Sequence, residues 1–178
     1  MSVKIFNITW IPLTHQNDQF IGVSHCPGKH SKYRASFPQL HNDLKSLKHQ
    51  NVDVIISLTP EIETEQLGIV NFNRNLEVLG FIHLAEPIDD FSVPNSDRTK
   101  NVNELIQKIV NLLKNKKSIL IHCNAGLGRS GLIVALVIKF IGEVKDPVSH
   151  VRKFRYGAVE TKEQERFVTD FVFFLING

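Results

Sequence analysis

The sequence predicts an α/β fold with a central, mainly parallel sheet flanked by helices. Short apolar runs that are typical of strands alternate with longer segments that carry apolar residues at helical spacing. The clearest strand pattern, 52–58, is almost entirely apolar toward its end, as expected for a strand buried on both faces. Such alternation is typical of parallel sheets with crossover helices, whose ligand sites lie at the carboxyl ends of the strands.

The predicted elements of the first half begin with a short strand over 20–24. A helix over 37–49 follows, because apolar residues recur there at helical spacing. After the strand at 52–58, Thr59 and Pro60 form a turn. The remaining elements of this half are a short helix over 61–66, a helix over 73–79 and a strand over 81–84.

The second half is predicted to be mostly helical. A long amphipathic helix covers 97–115, and we expect Asp97 to cap it. A strand over 118–121 and a tight loop precede an apolar helix that runs to Ile141. The last two helices begin at N-terminal signals, which are the cap and proline Asp146-Pro147 and the capping-box pattern Thr161-Lys162-Glu163-Gln164 of a helix over 161–176.

Composition and charge place the chain among ordinary globular proteins. Hydrophobic residues make up 42% and charged residues 22% of its 178 residues. No window is apolar for long enough to span a bilayer, and the N-terminus has no signal-peptide layout, so we expect a cytoplasmic protein. Two cysteines, Cys26 and Cys123, fit a reducing compartment better than a disulfide scaffold. The net charge of +3 is far from the basic bias of nucleic-acid binders.

The histidines of the chain are scattered and form no familiar metal-binding motif. The one local cluster, His25, Cys26 and His30, suits a solvated glycine-containing loop better than a set of metal ligands. We therefore expect neither a metal nor another cofactor. We also expect a monomer that has no nucleic-acid or membrane partner.

The most informative stretch of the chain runs from His122 to Gly131. It places Cys123 at the end of a buried strand and lets Arg129 open a helix after a short glycine-rich loop. Backbone N–H groups and a helix N-terminus then converge on one point, which makes an anion site. The same dipoles and the guanidinium stabilise a sulfur anion, so the cysteine is expected to react as a thiolate.

The pattern Cys-x5-Arg-Ser, entered by His122, resembles the signature of the cysteine-dependent protein tyrosine phosphatases, and within them the small dual-specificity class. The length predicts a single domain over 1–178. The resemblance, which spans about residue 20 to the C-terminus, implies that this is a phosphatase domain with Cys123 as nucleophile and Ser130 stabilising the departing thiolate. The Arg129 fork and the loop N–H groups would hold the phosphate. The predicted phosphate-binding residues are Asn124, Ala125, Gly126, Leu127, Gly128 and Arg129.

The general acid is expected on a separate segment, 86–95. This segment looks like the Pro-Ile-x-Asp-x-x-x-Pro loop of the kinase-associated dual-specificity phosphatases, which aligns Asp90 with the acid. After protonating the leaving group, the ionised Asp90 would serve as base toward water. Its neighbour Asp89 remains an alternative.

Two further segments carry the resemblance. Residues 155–164 look like the family's Arg-x-Gly-Ala-x-x-Thr-x-x-Gln element, so Gln164 would line the pocket and place the hydrolytic water; Tyr156 stands where many members have proline. Residues 25–34 echo the loop after the first strand of the kinase-associated type. That loop is either a solvated connection or a docking surface formed by Lys29, Lys32 and Arg34. Cys26 becomes a resolving thiol only if it lies near Cys123.

The leading hypothesis is a metal-independent phosphatase that acts on phosphotyrosine, phosphoserine and phosphothreonine in proteins. A second hypothesis keeps the mechanism but takes a phosphoinositide or an RNA 5′-phosphate as substrate. The variable loop positions, Asn124, Ala125 and Leu127, carry no lysine to hold additional phosphates. A third hypothesis is a non-catalytic phosphate-binding adaptor, which the retained Cys123 and Arg129 disfavour.

Overall fold

The computed structural model describes residues 5–15, 18–31 and 34–174. Its strands are β1 (Thr9–Pro12), β2 (Phe20–Ser24), β3 (Lys29–Ser31), β4 (Arg34–Ala35), β5 (Val54–Ser57), β6 (Ile82–Ala85) and β7 (Ile119–His122). Its α-helices are α1 (Phe37–His49), α2 (Glu61–Gln66), α3 (Phe72–Val78), α4 (Thr99–Lys114), α5 (Gly128–Ile141), α6 (Pro147–Phe154) and α7 (Lys162–Asp170). A short 3-10 helix, Ser96–Arg98, precedes α4.

The main sheet confirms the predicted α/β class. Its strand order is β1-β2-β7-β5-β6; β1 pairs antiparallel with β2, and the other neighbours pair in parallel. The central strands β5 and β7 are in register, with Ser57 opposite His122. Their carboxyl ends therefore meet at one edge of the sheet, where β7 passes into Cys123.

The alternation of side chains along the central strands gives the sheet two buried faces. Ile55 and Leu120 belong to one apolar cluster, shared with residues of α1 and α3. Ile56 and Ile121 belong to the other, shared with residues of α4, α5 and α7. Both strands are fully buried, which explains why their sequences are nearly continuous apolar runs.

Helix α5 is the core helix of the second layer. Every residue from Gly128 to Ile138 is buried, and α4, α6 and α7 pack against it. It ends at Ile141 and is capped by Gly142, whose left-handed conformation (φ 82°) suits a glycine C-cap. Because this packing fixes the helix along its length, its N-terminus is held firmly at the edge where β7 ends.

The helix starts were predicted with mixed success. Asp146 caps α6 by accepting the Ser149 N–H at 3.0 Å, and Thr161 and Gln164 form the predicted capping box of α7. The expected Asp97 cap is wrong, because Asp97 lies in the 3-10 turn and Arg98 occupies the cap position without a side-chain hydrogen bond. Along the described ranges, none of the helices combines the length and apolar character needed to cross a membrane.

Other boundaries also differ from the prediction. Helix α7 ends at Asp170, and the chain is not helical from 171 to 174; Ile176 lies outside the described residues. Strand β1 and the β3–β4 pair were not predicted.

The segment expected as a solvated loop is partly buried, since Cys26, Pro27 and Gly28 are buried and Lys29 begins β3. Lys32 lies outside the described residues.

Candidate active site

The loop from Cys123 to Arg129 connects β7 to α5. Cys123 is 2% exposed, and its Sγ accepts the Gly126 N–H at 3.2 Å. Gly126 has a φ of 70°, and a Cβ at this position would lie 2.3 Å from the Ser24 carbonyl oxygen of β2. Only glycine fits both requirements, so the tight curvature of the loop around the sulfur is encoded at this position.

The carbonyl groups of this loop are bound on its outer side. Arg155 donates to the carbonyls of Ala125 at 3.2 Å and Gly126 at 3.0 Å, and Cys26 N–H donates to that of Asn124 at 3.2 Å. In a planar trans peptide, the C=O and the following N–H point in opposite directions. The N–H groups of residues 125–127 therefore face inward, as an anion-binding loop requires.

Arg129 is the most enclosed charge of the site, with 1% of its side chain exposed. Glu63 of α2 binds it through two contacts, Nη1 to Oε2 at 2.6 Å and Nη2 to Oε1 at 3.0 Å. Asp90 approaches Nη2 at 2.9 Å, and the Ile88 carbonyl accepts from Nη1 at 3.1 Å. Burial alone would lower the pKa of Arg129, but the Glu63 hydrogen bonds and the anionic neighbours raise it.

Glu63 has further partners that hold it in place. Asn124 donates its amide N–H to Glu63 at 2.7 Å, and Lys29 donates to both the side-chain oxygen and the carbonyl oxygen of Asn124. Burial opposes ionisation of Glu63, yet hydrogen bonds from Arg129 and Asn124 outweigh it, so its pKa lies below the ordinary value. Lys29, expected as a docking residue or a solvated one, is thus bound to the loop itself.

The two candidate acids occupy different environments. Asp90 is half exposed and lines the same cleft as Cys123. Asp89 is exposed, and it is its backbone carbonyl that accepts a hydrogen bond, from Ser92 N–H at 3.1 Å. Phe91 follows with a φ of 56°, which is unusual for a bulky residue and turns the chain sharply beside Asp90. Of the two carboxylates, Asp90 is the one that the structure brings to Arg129.

Gln164 is fully buried, and both ends of its amide are bound. Its oxygen accepts from Glu160 N–H at 2.9 Å, while its nitrogen donates to the Ser92 carbonyl at 3.0 Å. It is absent from the residues that line the cleft and instead ties the Asp90 segment to the start of α7.

The Ser130 hydroxyl is buried without a hydrogen-bond partner among the described residues, so it is not bonded to the Cys123 sulfur here.

His122, the last residue of β7, is bound to the neighbouring strand β5. Its Nε2 lies 2.8 Å from the Ser57 hydroxyl, which also contacts His83 Nε2 at 2.8 Å. Complete burial, helped by the nearby His83, lowers the pKa of His122 to about 3. The imidazole is therefore neutral at physiological pH.

Cys26 lies beside the loop and is completely buried. Burial, with a smaller contribution from Cys123, raises the pKa of the Cys26 thiol to about 12. The thiol is thus protonated at neutral pH, and its Sγ contacts the Pro27 carbonyl at 3.7 Å. A buried, protonated thiol lacks the features of a reactive cysteine.

These residues surround a cleft of about 510 Å³. Three carboxylates and one lysine line it, together with polar and apolar side chains. The lining residues are Lys29, Glu63, Gln66, Leu67, Asp90, Phe91, Cys123, Asn124, Ala125 and Glu160.

Sequence reasoning assigned no role to three residues that contact the loop: Glu63, Arg155 and Glu160. Glu160 accepts the Gly128 N–H at 2.8 Å. The position of Glu63 could have been anticipated in part, because α2 directly follows the carboxyl end of β5, next to the end of β7. Arg155 and Glu160 belong to the predicted 155–164 element, but no local pattern indicates that they reach the loop.

Comparison with known proteins identifies the family. A sequence profile described as "Polymorphic toxin system, DSP-PTPase phosphatase" matches residues 30–143. Cyclin-dependent kinase inhibitor 3 of Rattus norvegicus is 25% identical over 169 residues, which cover 92% of this chain and 77% of the relative.

Solved structures agree with this match. Kinase-associated phosphatase, crystallised with its catalytic-site cysteine substituted by serine, superposes with a TM-score of 0.85 at 25% identity and 94% coverage of both chains. Tk-PTP in its active form has a TM-score of 0.71 at 24% identity, covering 92% of this chain and 95% of that one, and shares the fold. The resemblance to the kinase-associated type is therefore confirmed, and the chain belongs to the DSP-PTPase family as a protein tyrosine/dual-specificity phosphatase.

Proposed function

We propose that this phosphatase hydrolyses phosphotyrosine, phosphoserine and phosphothreonine in proteins through a phosphocysteine intermediate, without a metal. One observation carries the proposal. Asp90, from a separate segment, reaches the guanidinium of Arg129 at 2.9 Å and lines the same cleft as Cys123. A nucleophile, an oxyanion-binding fork and a proton donor therefore surround one space large enough for a phosphoryl group.

In the first step, the Cys123 thiolate attacks phosphorus in line with the leaving oxygen. The inward N–H groups of the loop and Arg129 bind the equatorial oxygens as charge redistributes, once Asp90 has released the Nη2 group that it contacts at 2.9 Å. The P–O bond to the substrate breaks while Asp90 gives its proton to the departing alkoxide or phenolate. The products of this step are the dephosphorylated side chain and phosphocysteine.

In the second step, water attacks the phosphocysteine. Asp90, now ionised, takes a proton from the water, so that the new P–O bond forms as the S–P bond breaks. Cys123 leaves as thiolate, and the enclosed loop dipoles together with Arg129 stabilise its charge. Rotation of the buried Ser130 hydroxyl toward the sulfur would add a further donor.

The charges of the cleft favour a single phosphoryl group. Glu63, Asp90 and Glu160 place three carboxylates around the loop, and Lys29 is bound to Asn124. A ligand with several phosphates would meet these carboxylates, which disfavours a phosphoinositide. We therefore propose protein phosphomonoesters rather than phosphoinositides as the substrate class.

The test is hydrolysis of an aryl phosphate by wild type and Cys123→Ser in the presence of a chelator, followed by a panel of phosphotyrosine, phosphoserine and phosphothreonine peptides. We expect turnover by the wild type only, and retained binding of phosphopeptide by the variant. Turnover by Cys123→Ser would refute the mechanism, and so would a loss of wild-type turnover when the chelator is added. Hydrolysis of the aryl phosphate but of none of the phosphopeptides would refute the substrate class.

A further inference from the structure

Glu160 holds the N-terminus of the core helix. Its Oε2 accepts the N–H of Gly128, the first residue of α5, at 2.8 Å. A Cβ on Gly128 would lie 2.5 Å from this oxygen, so the absence of a side chain is what lets the carboxylate approach the amide. An anion of the protein itself is thus seated where the loop becomes the helix.

The Gly128 N–H is one of the predicted phosphate donors. The preceding carbonyl, that of Leu127, accepts the Gly131 N–H at 2.8 Å and therefore points along the helix. The Gly128 N–H points the opposite way, out of the helix end, where the dipole favours negative charge. α5 has no side-chain cap from its own N-cap residue, Leu127, so this group is open to an external acceptor.

Glu160 is also the least restrained carboxylate of the cleft. Glu63 and Asp90 are both paired with Arg129. Within the described ranges, Glu160 forms no ion pair, and the Gly128 N–H is the hydrogen-bond donor to its carboxylate. Glu160 is exposed, so its side chain can leave the Gly128 N–H and rotate into solvent without breaking another hydrogen bond of the carboxylate.

We propose that the Glu160 carboxylate is a resident competitor for the phosphate site, which must leave the Gly128 N–H before a phosphoryl group can occupy the whole loop. This inference rests on the proposed function. The competition lowers the affinity for free phosphate and for substrate in the ground state, and it lowers product inhibition by the phosphate released at each turnover. Glu160 thus tunes the affinity of the loop for the phosphoryl group.

A purely structural role makes the opposite prediction. If Glu160 only fixes Gly128 in position, its replacement would loosen the loop and weaken phosphate binding. Glu160→Gln distinguishes the two roles, because the amide keeps the shape and an acceptor oxygen while it removes the charge. Glu163→Gln is the matched control, since Glu163 is an exposed residue on the first turn of α7 and makes the same change in net charge.

The experiment measures binding of inorganic phosphate to the full chain by calorimetry at pH 7 and fixed ionic strength, together with KM and phosphate inhibition for an aryl phosphate. Removal of a competing anion from a helix N-terminus beside the bound dianion should tighten phosphate binding about fivefold in Glu160→Gln. KM should fall in parallel. Glu163→Gln should bind phosphate about as tightly as wild type, because the charge that it removes is exposed to solvent and screened.

Equal or weaker phosphate binding by Glu160→Gln, relative to Glu163→Gln, would overturn the proposal. Glu160→Ala provides a second test, because it removes the acceptor as well and should also bind phosphate more tightly than wild type. Failure of the proposed function has a different signature, because wild type would then not hydrolyse the aryl phosphate, whatever its affinity for inorganic phosphate. If wild type hydrolyses the aryl phosphate but neither Glu160 variant binds phosphate more tightly than wild type, this inference alone is wrong.

Discussion

Arg129 and Glu63 form a two-point ion pair at the centre of the site, with N–O distances of 2.6 and 3.0 Å. The pair holds the plane of the guanidinium, so the fork is oriented before any phosphate arrives. Because the pair is largely enclosed, removal of one partner leaves an incompletely compensated charge. In the proposed mechanism, Glu63 is thus a positioning residue that acts through Arg129.

Glu63→Gln should lower kcat/KM by about tenfold or more, since it removes a charge-assisted hydrogen bond from the fork. Steady-state hydrolysis of an aryl phosphate measures the effect. Glu61→Gln, an exposed residue of the same helix, is the matched control and should retain wild-type activity. Equal activity of the two variants would show that Arg129 is oriented without Glu63.

Asp90→Asn should lower kcat by about a hundredfold or more with a poor leaving group, because general acid catalysis typically contributes this much. The loss should be much smaller with an activated aryl phosphate, whose leaving group needs no proton, and the basic limb of the pH–rate profile should flatten. Asp89→Asn is the matched control, and its rates should stay near those of wild type. The reverse pattern between the two variants would assign the acid to Asp89.

Gln164→Leu should cost about 1–3 kcal/mol of stability, because it leaves the part-buried Glu160 N–H and Ser92 carbonyl without their hydrogen-bond partner. It should also lower kcat, since the Ser92 carbonyl beside the Asp90 segment loses its donor. Thr161→Ala separates these effects, because it removes the α7 cap but not the contact with Ser92. Chemical denaturation and kcat should therefore both change in Gln164→Leu, whereas Thr161→Ala should change stability alone. A loss of kcat in both variants would contradict a role for the Ser92 contact.

Stability should decline as the pH falls below 6.5, in part because of His122. Its pKa is about 3 in the folded protein and 6.5 ordinarily, so between these values the unfolded chain takes up a proton that the folded chain refuses. Denaturation at a series of pH values should give a shallower decline for His122→Gln than for wild type. His41→Gln, exposed on α1, is the control and should follow wild type. Parallel curves for all three proteins would refute this assignment.

Agreement between sequence and structure was best where the pattern is local. The 52–58 and 118–121 runs indicated buried strands, because strands with two covered faces need apolar residues at successive positions. The N-terminal signals of α6 and α7 were also read correctly, since a cap depends on atoms within one turn. The prediction that Asp97 caps α4 was wrong because a 3-10 turn precedes this helix, which begins at Thr99. No local preference in the sequence specified that turn.

The sequence by itself determined the family, and it fixed the spacing of Cys123 and Arg129 within one short segment between a strand and a helix. Only the tertiary structure decided which distant groups surround that segment. Glu63 meets Arg129 across 66 residues of chain and Gln164 meets Ser92 across 72. The physical reason is that these contacts depend on the order and register of parallel strands and on helix packing against them, which no local pattern encodes.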